Sequence, residues 1–304
     1  MSESLPKKVR IVEVGPRDGL QNEAQAIDTD QKVAFIQKLV DAGHCDIEVT
    51  SFVHPKAVPQ LADAADVIAQ LPNFDQGRYS ALVPNDRGLD RAIESGIKRI
   101  AVFTAASETF CQKNIGMSRN ESLALFDKIC TRAMGAGLSI RGYVSTCFVC
   151  PYEGEIGEAV VSETTRALLD MGVDEVSVSD TIGAASPRDV ERVLLHVFET
   201  SPREAIALHF HDTFGTALAN VCEGLRLGVT TFDASSGGLG GCPFAPGATG
   251  NLATEDLVYL LDRMGIESGI DLNRQAEASR YISGVLGRKL PSRQLQRLDA
   301  ACGN

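Results

Sequence analysis

VRIVEVGPRDGLQNEAQAIDTDQKVAFIQKLVDAGHCDIEVTSF, residues 9–52, holds an apolar run, a break, an amphipathic stretch and a second apolar run, in that order. Val9 to Val14 reads as a strand, which Gly15 and Pro16 terminate before Arg17, Asp18 and Gly19. Asp30 to Ala42 spaces its apolar residues as one face of a helix does, and Asp46 to Phe52 is a strand again. Strand, helix and strand within this length make a βαβ unit, whose two strands must lie parallel.

The same rhythm continues outward from that unit. Val58 to Leu71 (helix), Tyr79 to Val83 (strand), Asp86 to Ser95 (helix) and Arg99 to Thr104 (strand) follow. Ser118 and Glu121 form a capping box that opens a helix to about Met134. Ser139 to Ser145 is the fifth strand, Glu158 to Met171 a helix and Glu175 to Ser179 the sixth strand. Ser186, with Pro187 and Asp189 behind it, has the signature of a helix N-terminus. A strand around His209 precedes a helix from Ala217 to Leu227, then come a strand at Thr230 to Ala234 and a helix near Thr254 to Met264. Eight strands alternating with helices, without a Pro-, Ser- or charge-rich linker, favour a closed (β/α)8 TIM barrel over an open doubly wound sheet. The expected organisation is a single catalytic domain over 1–304, with a barrel core at 7–265 and a C-terminal helical extension at 266–304 that packs on the barrel or on a second subunit. Arg280, Arg288, Lys289 and Arg293 in that extension read as a solvated helix face, with phosphate binding as the alternative.

A net charge of −11 argues against nucleic acid as a partner, and no basic cluster suggests a membrane surface. The opening MSESLPKKVR carries no targeting pattern and no apolar run spans a bilayer, so a cytoplasmic protein is expected. The 8 cysteines are scattered among regular elements, as reduced thiols are. Cys147 and Cys150 form a CFVC pair with no second pair at zinc-finger spacing, so structural thiols are favoured over zinc or redox chemistry.

Strands of a parallel barrel are ordinarily apolar on both faces, and these are not. Glu13, Glu48, Arg141, Tyr143, Ser145, Ser177, Ser179, His209, His211, Asp233 and Ser235 fall in phase with an inward face. Such a barrel has a polar, ionisable mouth, and the strand-end residues Arg17, Asp18, Asp180 and His211 come under first suspicion. Within ALHFHDTFG, residues 207–215, His209 and His211 share one face at metal-ligand spacing, although a pair of ordinary strand-end histidines has the same pattern. After the last strand, SSGGLGGCPFAPGATGN at 235–251 carries six glycines around Cys242 and reads as a lid or a backbone cradle. Cys242 there is either a proton carrier or an inert thiol in a turn. GxGxxG is absent after the first strand, which argues against a dinucleotide. Asn251 offers a carbonyl oxygen and Asp18 a carboxylate to an ion held by the two histidines, a donor set that suits Mg²⁺ or Mn²⁺ and leaves Zn²⁺ or Co²⁺ open.

VEVGPRDGLQNE (12–23), IEVTSFVHPKAVPQ (47–60), VSDTIG (178–183), HFHDTFG (209–215) and GGLGGCPFAPGATGNLATED (237–256) together resemble the 3-hydroxy-3-methylglutaryl-CoA lyases over nearly the whole chain. The resemblance implies cleavage of that acyl-CoA to acetoacetate and acetyl-CoA, as in leucine catabolism and ketone-body formation, by a homodimer dependent on a divalent metal cation. It implies Asp18, His209, His211 and Asn251 as metal ligands, Arg17 as the substrate-side cation, Cys242 as the catalytic thiol, and Glu48 and Asp180 as acidic cavity residues. His209 is also a candidate base for the substrate hydroxyl, a role that competes with metal ligation. Phe210 stands where some relatives have cysteine and points outward. Three alternatives remain: a lyase for a related 3-hydroxyacyl-CoA such as citramalyl-CoA, a synthase condensing acetyl-CoA with a 2-oxo acid, and a noncatalytic metal-binding barrel.

Overall fold

Eight parallel strands close into a barrel in the computed structural model, which describes residues 5–72, 77–241 and 250–302. They are β1 (Arg10–Glu13), β2 (Ile47–Ser51), β3 (Tyr79–Leu82), β4 (Arg99–Ala105), β5 (Ser139–Ser145), β8 (Glu175–Asp180), β9 (Ile206–Phe210) and β10 (Thr231–Ala234). Each strand pairs with the next barrel strand in sequence, and β1 closes the ring on β10. Two short strands, β6 (Val149–Cys150) and β7 (Gly154–Glu155), form an antiparallel hairpin outside the barrel.

The helices around it are α1 (Thr29–Asp41), α2 (Ala64–Gln70), α3 (Asp86–Ser95), α4 (Glu108–Ile115), α5 (Arg119–Gly135), α6 (Glu158–Asp170), α7 (Pro187–Val197), α8 (Ala217–Arg226) and α9 (Thr254–Met264). The expected caps form: Ser118 N donates to Glu121 Oε2 at 2.8 Å at the head of α5, and Ser186 N donates to Asp189 Oδ2 at 2.9 Å at the head of α7. The helix expected from Val58 is instead a short turn at Pro59–Leu61 followed by α2. Helix α4 has no counterpart in the sequence expectations; Ser107 caps it by accepting from Phe110 N at 3.0 Å.

Past α9, α10 (Leu272–Leu286) and α11 (Arg293–Cys302) pack back onto this barrel, α10 against α1 and α9, and α11 against α9. Arg280 pairs with Asp299 and Arg288 with Glu23, so two of the basic residues of the tail serve intramolecular ion pairs.

The interior carries charge below its mouth as well. Arg10, Asp46, Arg99, Arg141, Glu175 and Asp233 exchange ion pairs inside it. Apolar side chains lie between strands and helices, where Phe35, Phe126, Phe210 and Phe232 are fully buried. One strand departs from the expected phase. Val12 registers with Asp233, which points inward, so Glu13 turns to the outer face.

Candidate active site

The carboxyl end of β1 runs into a tight helical turn, Gly15–Gly19, in which Asp18 N donates to Val14 O at 2.8 Å. The turn lies close against the segment that follows β10: a Cβ on Gly19 would sit 2.8 Å from Leu239 Cβ. This folds Arg17 and Asp18 back over the barrel mouth.

Arg17 is 6% exposed and surrounded by acceptors. Its Nε donates to Glu48 and its Nη1 to Asp18 Oδ1 at 2.6 Å. Burial alone would lower its pKa, but the Glu48 and Asp18 carboxylates outweigh that and hold the guanidinium above its ordinary value. Glu48, wholly buried, takes the Tyr143 hydroxyl on its other oxygen at 2.8 Å. Asp18 also accepts from Gln21 Nε2 at 2.9 Å and from Asn251 Nδ2 at 2.8 Å. Burial works to raise its pKa, and Arg17 with the two nearby histidines overcomes it, so Asp18 is held below its ordinary range.

His209 and His211 project together at the end of β9, ring centroids 5.2 Å apart. Beyond β9 the chain pairs antiparallel with the segment that re-emerges from the glycine-rich loop: Leu252 N donates to Phe210 O at 2.9 Å and Asp212 N to Gly250 O at 3.0 Å. That pairing sets Asn251 directly opposite His211. One ligand atom each from Asp18, His209 and His211 lie within 4.8 Å of one another, a spacing that one ion bound at about 2–2.5 Å from each can bridge. His211 Nδ1 and Asn251 Oδ1 are both buried without a hydrogen-bond partner among the described residues. Buried polar atoms left in that state are costly, and a cation satisfies both. The donor set therefore fits a divalent ion. Burial, followed by the His209 ring, pushes His211 down to about 4, which keeps its imidazole neutral as a ligand must be.

His209 makes its own contact with the barrel interior. Its Nδ1 lies 3.2 Å from Asp233 Oδ2. Burial opposes ionisation of Asp233, yet Arg141 and His209 hold its carboxyl well below the usual range. Arg17, Asp18, Gln21, Tyr143, His209 and His211 line a cavity of about 610 Å³ whose far wall, built from β4, α4 and α5, is apolar and includes Phe103, Ile115, Leu125 and Phe126.

The profile of the HMGL-like family matches residues 8–282. A hydroxymethylglutaryl-CoA lyase of Bacillus subtilis is 50% identical over 291 residues, 96% of this chain and 97% of that one. The chain belongs to the HMGL-like family. The mitochondrial hydroxymethylglutaryl-CoA lyase of Bos taurus is 48% identical over 96% of this chain and 90% of its own length. Among solved structures, the hydroxymethylglutaryl-CoA lyase of Pseudomonas aeruginosa superposes with a TM-score of 0.96 at 46% identity, covering 98% of this chain and 99% of that one. An HMG-CoA lyase of Acinetobacter baumannii, solved with coenzyme A and 3-methylmalate, superposes with a TM-score of 0.91 at 38% identity, covering 97% and 96%.

Of the residues singled out in this HMGL-like sequence, the fold brings Arg17, Asp18, Glu48, His209, His211 and Asn251 to one place. Cys242 lies outside the described residues. Asp180 is not brought into the cavity. One residue beyond inward-facing Ser179, it points outward and accepts from Ala184 N at 3.1 Å and Ala185 N at 2.9 Å, tying down the loop before α7. Burial pushes its pKa up to about 6 despite those donors. Phe210 is outward and buried, beside Phe148. Cys147 and Cys150 are separate buried thiols, Cys147 donating to Val144 O at 2.9 Å and Cys150 to Ser107 Oγ at 3.0 Å. Tyr143, Arg141 and Asp233 were visible in the sequence only as inward-facing positions, without roles. Gln21, one helical turn after Asp18, and the apolar wall from α4 were missed; the Ser107 cap was the available signal for α4.

Proposed function

We propose that this chain cleaves 3-hydroxy-3-methylglutaryl-CoA to acetoacetate and acetyl-CoA by a retro-Claisen reaction at the barrel mouth. The observation that carries the reading is the convergence of Asp18, His209 and His211 with the unpaired Asn251 Oδ1, immediately beside the buried Arg17. We assign Mg²⁺ or Mn²⁺ to these four side chains, because oxygen and imidazole donors in roughly equal number suit such ions. When bound, the ion supplies Lewis acidity toward the hydroxyl and carboxylate oxygens of the substrate.

The chain's own residues do the rest. Arg17 spends Nε on Glu48 and Nη1 on Asp18, and among the described residues its Nη2 has no protein acceptor. That nitrogen is placed to donate to the oxygen of the departing thioester enolate. Glu48 acts through Arg17, whose orientation it sets. His209 is assigned as a ligand through Nε2, since Nδ1 is engaged with Asp233 and no free nitrogen remains to act as base. Breaking the carbon–carbon bond releases the hydroxyl proton and the enolate carbon takes one up. Cys242 is proposed as the thiol that protonates that carbon, its thiolate being restored by the released hydroxyl proton, so that no net proton is gained or lost over a turnover. Coenzyme A thioesters are the proposed partners, the proposed assembly is a homodimer and the proposed compartment is the cytoplasm. No helix among the described residues is long and apolar enough to cross a membrane.

Acetoacetate release from the acyl-CoA, measured with and without Mg²⁺ or Mn²⁺, tests the proposal. Metal-dependent turnover that is lost in Cys242→Ala supports it, and no turnover by metal-loaded protein refutes it. The apolar far wall and the methylmalate-bound relative favour one second reading, a lyase for a related 3-hydroxyacyl-CoA. A higher kcat/KM for citramalyl-CoA in the same assay would establish that reading instead.

A further inference from the structure

A ladder of alternating charges runs through the barrel from the end opposite the candidate site. Asp46 accepts from Arg10 Nη1, and from Arg99 Nη1 at 2.8 Å. Arg10 reaches Glu175 with its other terminal nitrogen, and Glu175 Oε1 accepts Arg141 Nε at 2.8 Å. Arg141 then clamps Asp233, Nη2 to Oδ1 at 2.7 Å and Nη1 to Oδ2 at 3.2 Å. Oδ2 also accepts from Ser177 Oγ at 3.0 Å before it meets His209 Nδ1 at 3.2 Å.

A carboxylate gripped on both oxygens by a guanidinium can only accept, because every facing proton belongs to a donor that arginine cannot give up. The His209 ring nitrogen that meets it must therefore carry hydrogen. A neutral imidazole protonated at Nδ1 has its lone pair at Nε2. On the reading that the cluster holds a divalent cation, we propose that Asp233 is a positioning residue that locks His209 as the Nδ1–H tautomer, with the Nε2 lone pair turned toward Asp18, His211 and Asn251. Arg141 enforces the lock by fixing which way Asp233 faces. Partners of this kind, which orient a ligand without touching the ion, commonly contribute roughly 10-fold to 100-fold in metal affinity.

Asp233→Asn separates this role from a merely structural one. The amide has one acceptor oxygen, and the shorter bond, from Arg141 Nη2, claims it. The amide nitrogen then takes the place of Oδ2 and donates to His209 Nδ1, which forces the ring proton onto Nε2 and into the metal cluster. Adding Arg141→Met removes the competing donor and the unpaired charge together, so the amide introduced at position 233 is free to turn its oxygen back to the histidine. The readouts are the ¹⁵N imidazole spectrum of the metal-free protein, taken over a pH series so that the tautomer is read on the neutral ring, Mn²⁺ binding by calorimetry, and thermal unfolding.

The expected results are an unprotonated Nε2 in the natural protein, a switched tautomer with roughly 10-fold to 100-fold weaker Mn²⁺ binding in Asp233→Asn, and recovery of both in the double variant. Should the single variant fail to fold, the double variant carries the test against the natural protein. An unswitched spectrum with unchanged Mn²⁺ affinity in Asp233→Asn overturns the proposal, as does a double variant that recovers neither. A lower unfolding temperature with tautomer and affinity intact also overturns it, since that is the mark of packing alone. Natural protein that binds no Mn²⁺ but shows the Nδ1–H spectrum refutes the metal reading and supports the tautomer lock.

Discussion

Raising the pH from about 5 to about 8 should weaken this fold through a carboxyl group that never meets solvent. Glu13, on the outer face of β1, is fully buried. It joins the two segments that frame the site: Oε1 accepts from Gly15 N, ahead of Arg17, and from Ser236 N, ahead of the glycine-rich loop, both at 2.9 Å. Thr254 Oγ1 donates to its other oxygen at 2.7 Å. Burial outweighs these donors and raises the Glu13 pKa from 4.5 to about 7. Glu255, which accepts from Gly237 N and Ser279 Oγ, is also raised by burial to about 7.

A folded-state pKa above the unfolded one means that the folded chain keeps a proton the unfolded chain has released. The contribution is therefore fully present below 4.5 and is lost as pH rises through about 7. Integrated between pH 5 and pH 8, the loss for Glu13 alone is about 2.5 kcal/mol, with Glu255 coupled to it and acting in the same direction. Urea unfolding of the natural protein and of Glu13→Gln at the two pH values isolates the effect, because shifted groups that do not interact with Glu13 cancel in the difference, and the coupling to Glu255 is the smallest of the influences on Glu13. The stability advantage of the natural protein over the variant should shrink by about 2.5 kcal/mol on going to pH 8. A gap of the same size at both pH values would refute the reasoning.

Arg17→Gln should retain Mn²⁺ binding but lose roughly 10²-fold or more in kcat, equivalent to about 3 kcal/mol, if its role is to stabilise a developing oxyanion; acetoacetate release under saturating substrate measures it. Asn251→Ala removes the buried, unpaired Oδ1 together with the bonds of Nδ2 to Asp18 and Leu239 O, and calorimetry should find Mn²⁺ bound about 10-fold more weakly. Gly183 has a φ of +71°, and a Cβ there would lie 2.8 Å from His211 O and Thr213 N. Gly183→Ala should therefore cost at least about 1 kcal/mol in thermal stability and weaken Mn²⁺ binding by displacing His211.

The alternation of strands and helices was legible from sequence because it rests on local physics: a period near 2 or 3.6 in apolar residues, and caps such as Ser118 with Glu121 that act within one turn. The histidine pair was legible for the same reason, since residues two apart on a strand share a face. Asp18, Asn251 and Arg17 were connected to those histidines by motif resemblance, and no property of residues 18 and 251 taken separately places one beside the other. Barrel closure and the antiparallel pairing beyond β9 do that.

Phase errors mark the boundary between the two kinds of information. Glu13 falls outside the barrel because its neighbour Val12 registers with Asp233, and Asp180 leaves the cavity by a single residue. Strand alternation says that two neighbours point apart, but only the register with adjacent strands says which of them points in. The ion-pair ladder from Asp46 to His209 likewise could not be read in one dimension. Its members span residues 10–233 and meet only where eight strands share an axis. Sequence by itself therefore determined the elements, their order and the chemical character of the strand faces. The tertiary structure decided which carboxylate meets which arginine or imidazole, because those choices depend on distances that exist only after the chain has closed on itself.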